Sequence, residues 1–137
     1  MPSGLSDYFE DKILGYVFGS RAYTNATTYY VGLWTATLTD ASTGSTAGEP
    51  TSGSYARVTL TNSSSNFDLP TAGATQNTNL LAFPMATAAW GTVTYVGICD
   101  AATAGNLIAY ASLTTSVAVS TYDTVLFQPG DLDITIT

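Results

Sequence analysis

Two hydrophobic periods divide the chain. Over residues 6–18 apolar side chains recur every four positions, at Phe9, Ile13 and Val17, with Leu14 and Tyr16 beside them. That spacing gives a helix one apolar face. Ser6 stands where an N-cap would accept free backbone N–H groups, and Asp7, Glu10 and Asp11 lie near the positive end of the helix dipole. Gly19 suits the position just past the helix, where φ is positive. From Tyr29 onward the period is two. Residues 29–35 (YYVGLWT) are aromatic and β-branched, and residues 55–61 (YARVTLT) alternate Arg57, Thr59 and Thr61 with Val58 and Leu60. Residues 92–99 (TVTYVGIC) are apolar on both faces, which places that strand centrally. Further short strands are expected at 80–83, 107–113, 117–119, 124–128 and 132–136. In the last of these Leu132, Ile134 and Ile136 point inward, with Asp133 and Thr135 outward.

The connections carry turn chemistry. Residues 100–106 (DAATAGN) read as a hairpin connection, and Pro129-Gly130-Asp131 reads as a turn. Residues 39–54 (TDASTGSTAGEPTSGS) form a connection long enough to be functional or mobile. With no second helix-period segment, crossover βαβ units are excluded. The expected fold is mainly β: an antiparallel β-sandwich of about seven or eight short strands with one N-terminal α-helix. The expected organisation is a single domain over 1–137, with a helical segment at 1–19 and the sandwich at 28–137, its long loop at 39–54.

Composition narrows the chemistry. The 137 residues include 3 Lys+Arg, 10 Asp+Glu and no His, for a net charge of −7. Hydroxyls replace charge, with 24 Thr and 13 Ser. Lys12, Arg21 and Arg57 are too few cations to neutralise a phosphate backbone, so nucleic acid is not an expected partner. No apolar run reaches the ~20 residues needed to cross a bilayer as a helix, and no membrane partner is expected. Met1 to Ser6 holds no positive charge and leads into no apolar stretch, so no secretory leader is expected there. Without His, and with Cys99 alone, the usual zinc sites and Ser–His or Cys–His nucleophiles are missing. Phosphate-binding glycine motifs are also missing. No cofactor, metal or catalytic residue is expected. Cys99 reads as a small buried hydrophobe. Trp34, Trp90 and Tyr95 read as core residues whose polar atoms reach partners at its ends.

Two sets of residues remain as candidates. A carboxylate pair, Glu49 in the long loop and Asp100 at the end of the central strand, would be the basis of any hydrolase. The more economical use of the chain is contact with other protein. The helix either covers one end of the sandwich or docks to a partner, and two of the three cations bracket it. Tyr8, Lys12, Tyr16, Arg21, Glu49 and Tyr55 are the candidate partner-interface residues.

Several blocks together resemble a known family. These are the opening SDYFEDKILGYVFGSRAYT, the strand YYVGLWTA, the A-x-W-G-T-V-T-x-x-G-I-x-D-A pattern from Ala88 to Ala101, and the closing F-x-P-G-x-L-x-I-T-I from Phe127 to Ile136. This arrangement resembles small bacteriophage virion proteins of the tail-fibre-like or minor structural type. The resemblance implies a non-enzymatic, mostly β component of a phage particle. A fibre shaft is usually elongated and repetitive, and this chain has no repeat. Size and shape therefore favour a capsid decoration (cement) protein on the outer shell, bound to the major capsid protein or other virion proteins as a homo-oligomer, a trimer by preference. The alternative is a tail-fibre or host-surface, glycan-binding protein of the virion.

Overall fold

The computed structural model describes residues 3–136. Met1 and Pro2, the first residues of the Met1–Ser6 stretch in which no leader is expected, lie outside the described residues, as does Thr137. The described chain runs β1 (Ser3–Leu5), α1 (Asp7–Gly19), β2 (Thr28–Trp34), β3 (Val58–Thr61), β4 (Ala74–Gln76), β5 (Leu81–Ala82), β6 (Gly91–Cys99), β7 (Leu107–Val119), β8 (Leu126–Phe127) and β9 (Asp133–Thr135). It is mainly β, antiparallel throughout, with one N-terminal helix. There are nine strands among the described residues rather than seven or eight. The two that periodicity missed, β1 and β4, are three residues each, too short to show alternation.

The large sheet has the order β1-β7-β6-β2-β3. The doubly apolar β6 is therefore its centre, as its composition demands. Val31 and Leu33 of β2, Val96 and Ile98 of β6 and Ile108 of β7 face one core. Over that face lie the two small sheets, β4–β9 and β5–β8, which contribute Leu81 and Phe127 with the neighbouring Phe83 and Leu132. The stretches 107–113 and 117–119 are one strand. The register jumps from Val93↔Val117 to Tyr95↔Ser112, so residues 113–116 bulge out of a ladder that resumes beyond them.

The opposite face of the sheet holds a second apolar cluster of Trp34, Leu38, Tyr95, Cys99 and Leu107. Gly32 and Gly97 pair across β2 and β6, and the Trp34 ring lies over them. A Cβ on Gly97 would come within 2.9 Å of both the Trp34 ring and Leu107. The two glycines thus make the space that the indole fills. Trp34 Nε1 donates to Thr46 O and Trp90 Nε1 to Gly53 O, each at 2.9 Å, so both buried indoles are satisfied.

Helix α1 begins as the sequence demands. Ser6 is fully buried; its hydroxyl donates to Leu107 O and accepts from Phe9 N. The other end differs by one residue. Gly19 is still helical, and Ser20 takes the left-handed conformation at φ 49°. Gly15 and Gly19 instead give room to the Arg21 stem, which a Cβ on Gly15 would meet at 3.3 Å. The expected apolar face is only partly used. Tyr8 and Phe9 pack on the core, yet no residue of α1 is buried. At the end of β9, Leu132 and Ile134 turn inward, whereas Ile136 is exposed.

Candidate functional site

The long loop at 39–54 is not free. It folds over the second face of the sheet and is held by Arg57, which is 7 % exposed. All five guanidinium N–H groups have acceptors. Nε and Nη2 grip the two Glu49 carboxylate oxygens, both at 2.7 Å. The second Nη2 bond goes to Gly44 O at 2.8 Å. Nη1 reaches Ala101 O at 2.7 Å and Ala104 O at 2.9 Å. The guanidinium also lies over the Trp34 ring, 5.5 Å from its centroid. One buried cation therefore ties the long loop, the β6–β7 hairpin and the foot of β3 together. Burial works against its charge, but the Glu49 contact outweighs that and leaves its pKa above the ordinary guanidinium value.

Neighbouring groups complete the lock. Tyr55 OH accepts from Leu33 N at 2.9 Å and donates to Glu49 Oε1 at 2.7 Å. Burial, then the Glu49 bond, push its phenol well above the usual range. The Tyr55 ring meets Trp90 edge-on at 5.2 Å, so the same side chain joins the network to the core. Gly44 donates to Gly105 O at 3.0 Å. A Cβ there would fall 1.9 Å from Ala104 O, so only glycine permits that approach. Asp100 closes the hairpin from within, accepting from the Asn106 amide nitrogen and side chain at 2.8 Å each. Both carboxylates of the hydrolase pair are thus engaged in holding loops.

The six candidate interface residues separate into two places. Glu49 and Tyr55 are brought together with Arg57, their polar atoms turned inward. Tyr8, Lys12, Tyr16 and Arg21 belong to α1 and its end. Tyr8 is half-buried, with Lys12 Nζ 5.2 Å from its ring centroid; Lys12, Tyr16 and Arg21 are exposed. Around them Leu14, Tyr16, Val17 and Phe18 are 55 %, 63 %, 59 % and 83 % exposed. Beside the base of the helix opens a mostly apolar groove of about 450 Å³, floored by Ile98 and Ile108 and walled by Phe9, Tyr29, Phe67 and Ile134. Neither the groove nor Arg57's role was visible to periodicity. Arg57 stood in the strand pattern only as one of its alternating polar residues; the available signal was a lone cation amid neutral strands, eight residues after Glu49. Asn77 was also missed. It is buried, with its amide donating to Asn79 O and Gln128 O and its oxygen accepting from Gly130 and Leu132.

Among the described residues no group of three or more His, Cys, Asp or Glu is placed to hold a metal ion. No described helix is long and apolar enough to cross a membrane.

A family model described as podophage GP4 fiber I protein gp80 matches residues 4–135. No curated protein matches the chain. The match supports the fibre alternative over the capsid decoration that size and shape had favoured. A shaft-like repeat is not required of every protein in a fibre, so a compact chain without one is compatible with a fibre. The chain belongs to the podophage GP4 fiber I protein gp80 family, a family of phage tail-fibre structural proteins, and is a component of the virion.

Proposed function

We propose that the chain is a non-enzymatic building unit of the fibre, folded as one domain and carried on the exterior of the particle. The observation that carries this reading is the contrast between the body and α1. In the body, buried polar groups are matched: no buried side-chain nitrogen or oxygen among the described residues lacks a partner. Arg57, Glu49, Tyr55, Asp100 and Asn77 all act within the fold. The apolar end of α1, with its cations, is by contrast left open to outside contact. Tyr8, Lys12, Tyr16 and Arg21 form the attachment face to other virion proteins, and the unit self-associates, with a trimer favoured.

The experiment compares particles made with and without the chain. Particles lacking it should show missing or shortened fibres and slower adsorption to the host, with capsid heat stability unchanged. Unchanged adsorption together with capsids that open at lower temperature would overturn the fibre reading in favour of shell decoration.

A further inference from the structure

The end of α1 and the apolar groove are complementary surfaces on one chain. Leu14, Val17 and Phe18 stand at i, i+3 and i+4 and form one stripe. All three are more than half exposed. A 13-residue helix with no buried residue is marginal in water unless something covers it. The groove has the opposite defect. Its volume of about 450 Å³ lies in the range of sites that enclose a ligand, and its lining is mostly aliphatic and aromatic. Leu69 at its rim is 87 % exposed.

The chain cannot satisfy itself. Phe9, in the first half of α1, is part of the groove wall. Phe18 lies nine residues further along the same rod, about 13 Å away at 1.5 Å per residue. A straight helix cannot return its own end to its base. Charge then selects the occupant. Asp68 lines the groove and no Lys or Arg does. Arg21 follows Phe18 by three residues and makes no ion pair among the described residues, where Arg57–Glu49 is the only one. In a chain of net charge −7, most contacts between copies bring like charges together; this one pairs Arg21 with Asp68.

We propose that the groove receives the Leu14–Val17–Phe18 end of α1 from a second copy of the chain, joining copies head to tail. The contact is heterologous, so it closes into a ring, of which a trimer is one form, or runs on as a filament. It rests on the self-association proposed above and names the contact that makes it; the place of the chain in a fibre does not depend on it.

The test is sedimentation of the purified full chain and two variants, with circular dichroism to confirm folding. Phe18→Asp spoils the helix end and Ser64→Trp fills the groove; both positions are exposed. The wild-type chain should self-associate with rising concentration. Each variant alone should weaken that association by about tenfold or more. An equimolar mixture of the two should form a 1:1 dimer and stop there, because one intact end and one intact groove remain. Charge exchange gives a second reading: Arg21→Asp and Asp68→Arg should each impair association, and the double variant should recover it. Loss with Phe18→Asp but not with Ser64→Trp would mean a symmetric helix–helix contact and overturn the proposal. So would a mixture that yields no dimer. A wild-type chain that stays monomeric at millimolar concentration would also overturn it, leaving the groove to a segment of another protein.

Discussion

Arg57 meets Glu49 through two parallel contacts, Nε to Oε1 and Nη2 to Oε2, both 2.7 Å. The pair is nearly dry on the arginine side, whose side chain is 1 % exposed. Removing the cation strands the carbonyls of Gly44, Ala101 and Ala104 as well as the carboxylate. Arg57→Met is expected to destabilise by about 3–5 kcal/mol, the usual cost of breaking a buried pair from one side. Urea unfolding checks this, as a lowered midpoint at unchanged slope. Arg57→Lys should recover only part of the loss, since an ammonium lacks the planar fork.

The paired glycines predict a second sensitivity. A methyl at Gly97 meets the Trp34 ring and Leu107 at 2.9 Å, with Leu38 at 3.5 Å. Gly97→Ala should cost about 1–3 kcal/mol through overpacking. Intrinsic Trp fluorescence should shift with it. A neutral result in urea titration would show that the indole is free to move away.

Cys99 gives the pH dependence its sign. Burial pushes its thiol from 9.0 up to about 12, and Arg57 offsets only part of this. Below pH 9 the thiol is protonated in folded and unfolded chains alike, and its contribution to stability is complete. Above that the unfolded chain ionises first, so stability falls as the pH climbs from about 9 to about 12. The raised Tyr55 phenol acts in the same direction. Denaturant titrations at stepped pH should show this decline, and Cys99→Ala should lessen it, leaving the part due to Tyr55. Iodoacetamide should label Cys99 only once the chain is unfolded.

Ser6 predicts a local effect. It caps α1 and anchors the helix start to Leu107 O. Ser6→Ala should cost about 1 kcal/mol. Hydrogen exchange should quicken at the Phe9 amide while the β6 amides keep their protection.

Much of this architecture was legible in the sequence, for physical reasons that also mark where legibility stops. β6 announced itself as central because both its faces are apolar. The start of α1 was fixed by Ser6 and three acids, and the 100–106 and 129–131 turns by Asp, Gly and Asn. Those signals are local. The clamp at Arg57 joins residues 44, 49, 101 and 104, and no local period records such a meeting. The length of the 39–54 connection marked it as functional or mobile; its order comes from a cation outside it. The spacing of Phe9, Ile13 and Val17 marked one apolar face and left cover and docking both open; Val17 faces outward. Periodicity reports that a face needs covering, without saying whether its own chain supplies the cover.

Service in the fibre has a visible consequence: the chain should be found there on intact particles. Imaging of intact particles labelled with gold-conjugated antibody raised against the purified chain tests it most directly. Gold is expected on the fibres, with the shell left bare. Gold spread evenly over the capsid, with unlabelled fibres, would contradict it.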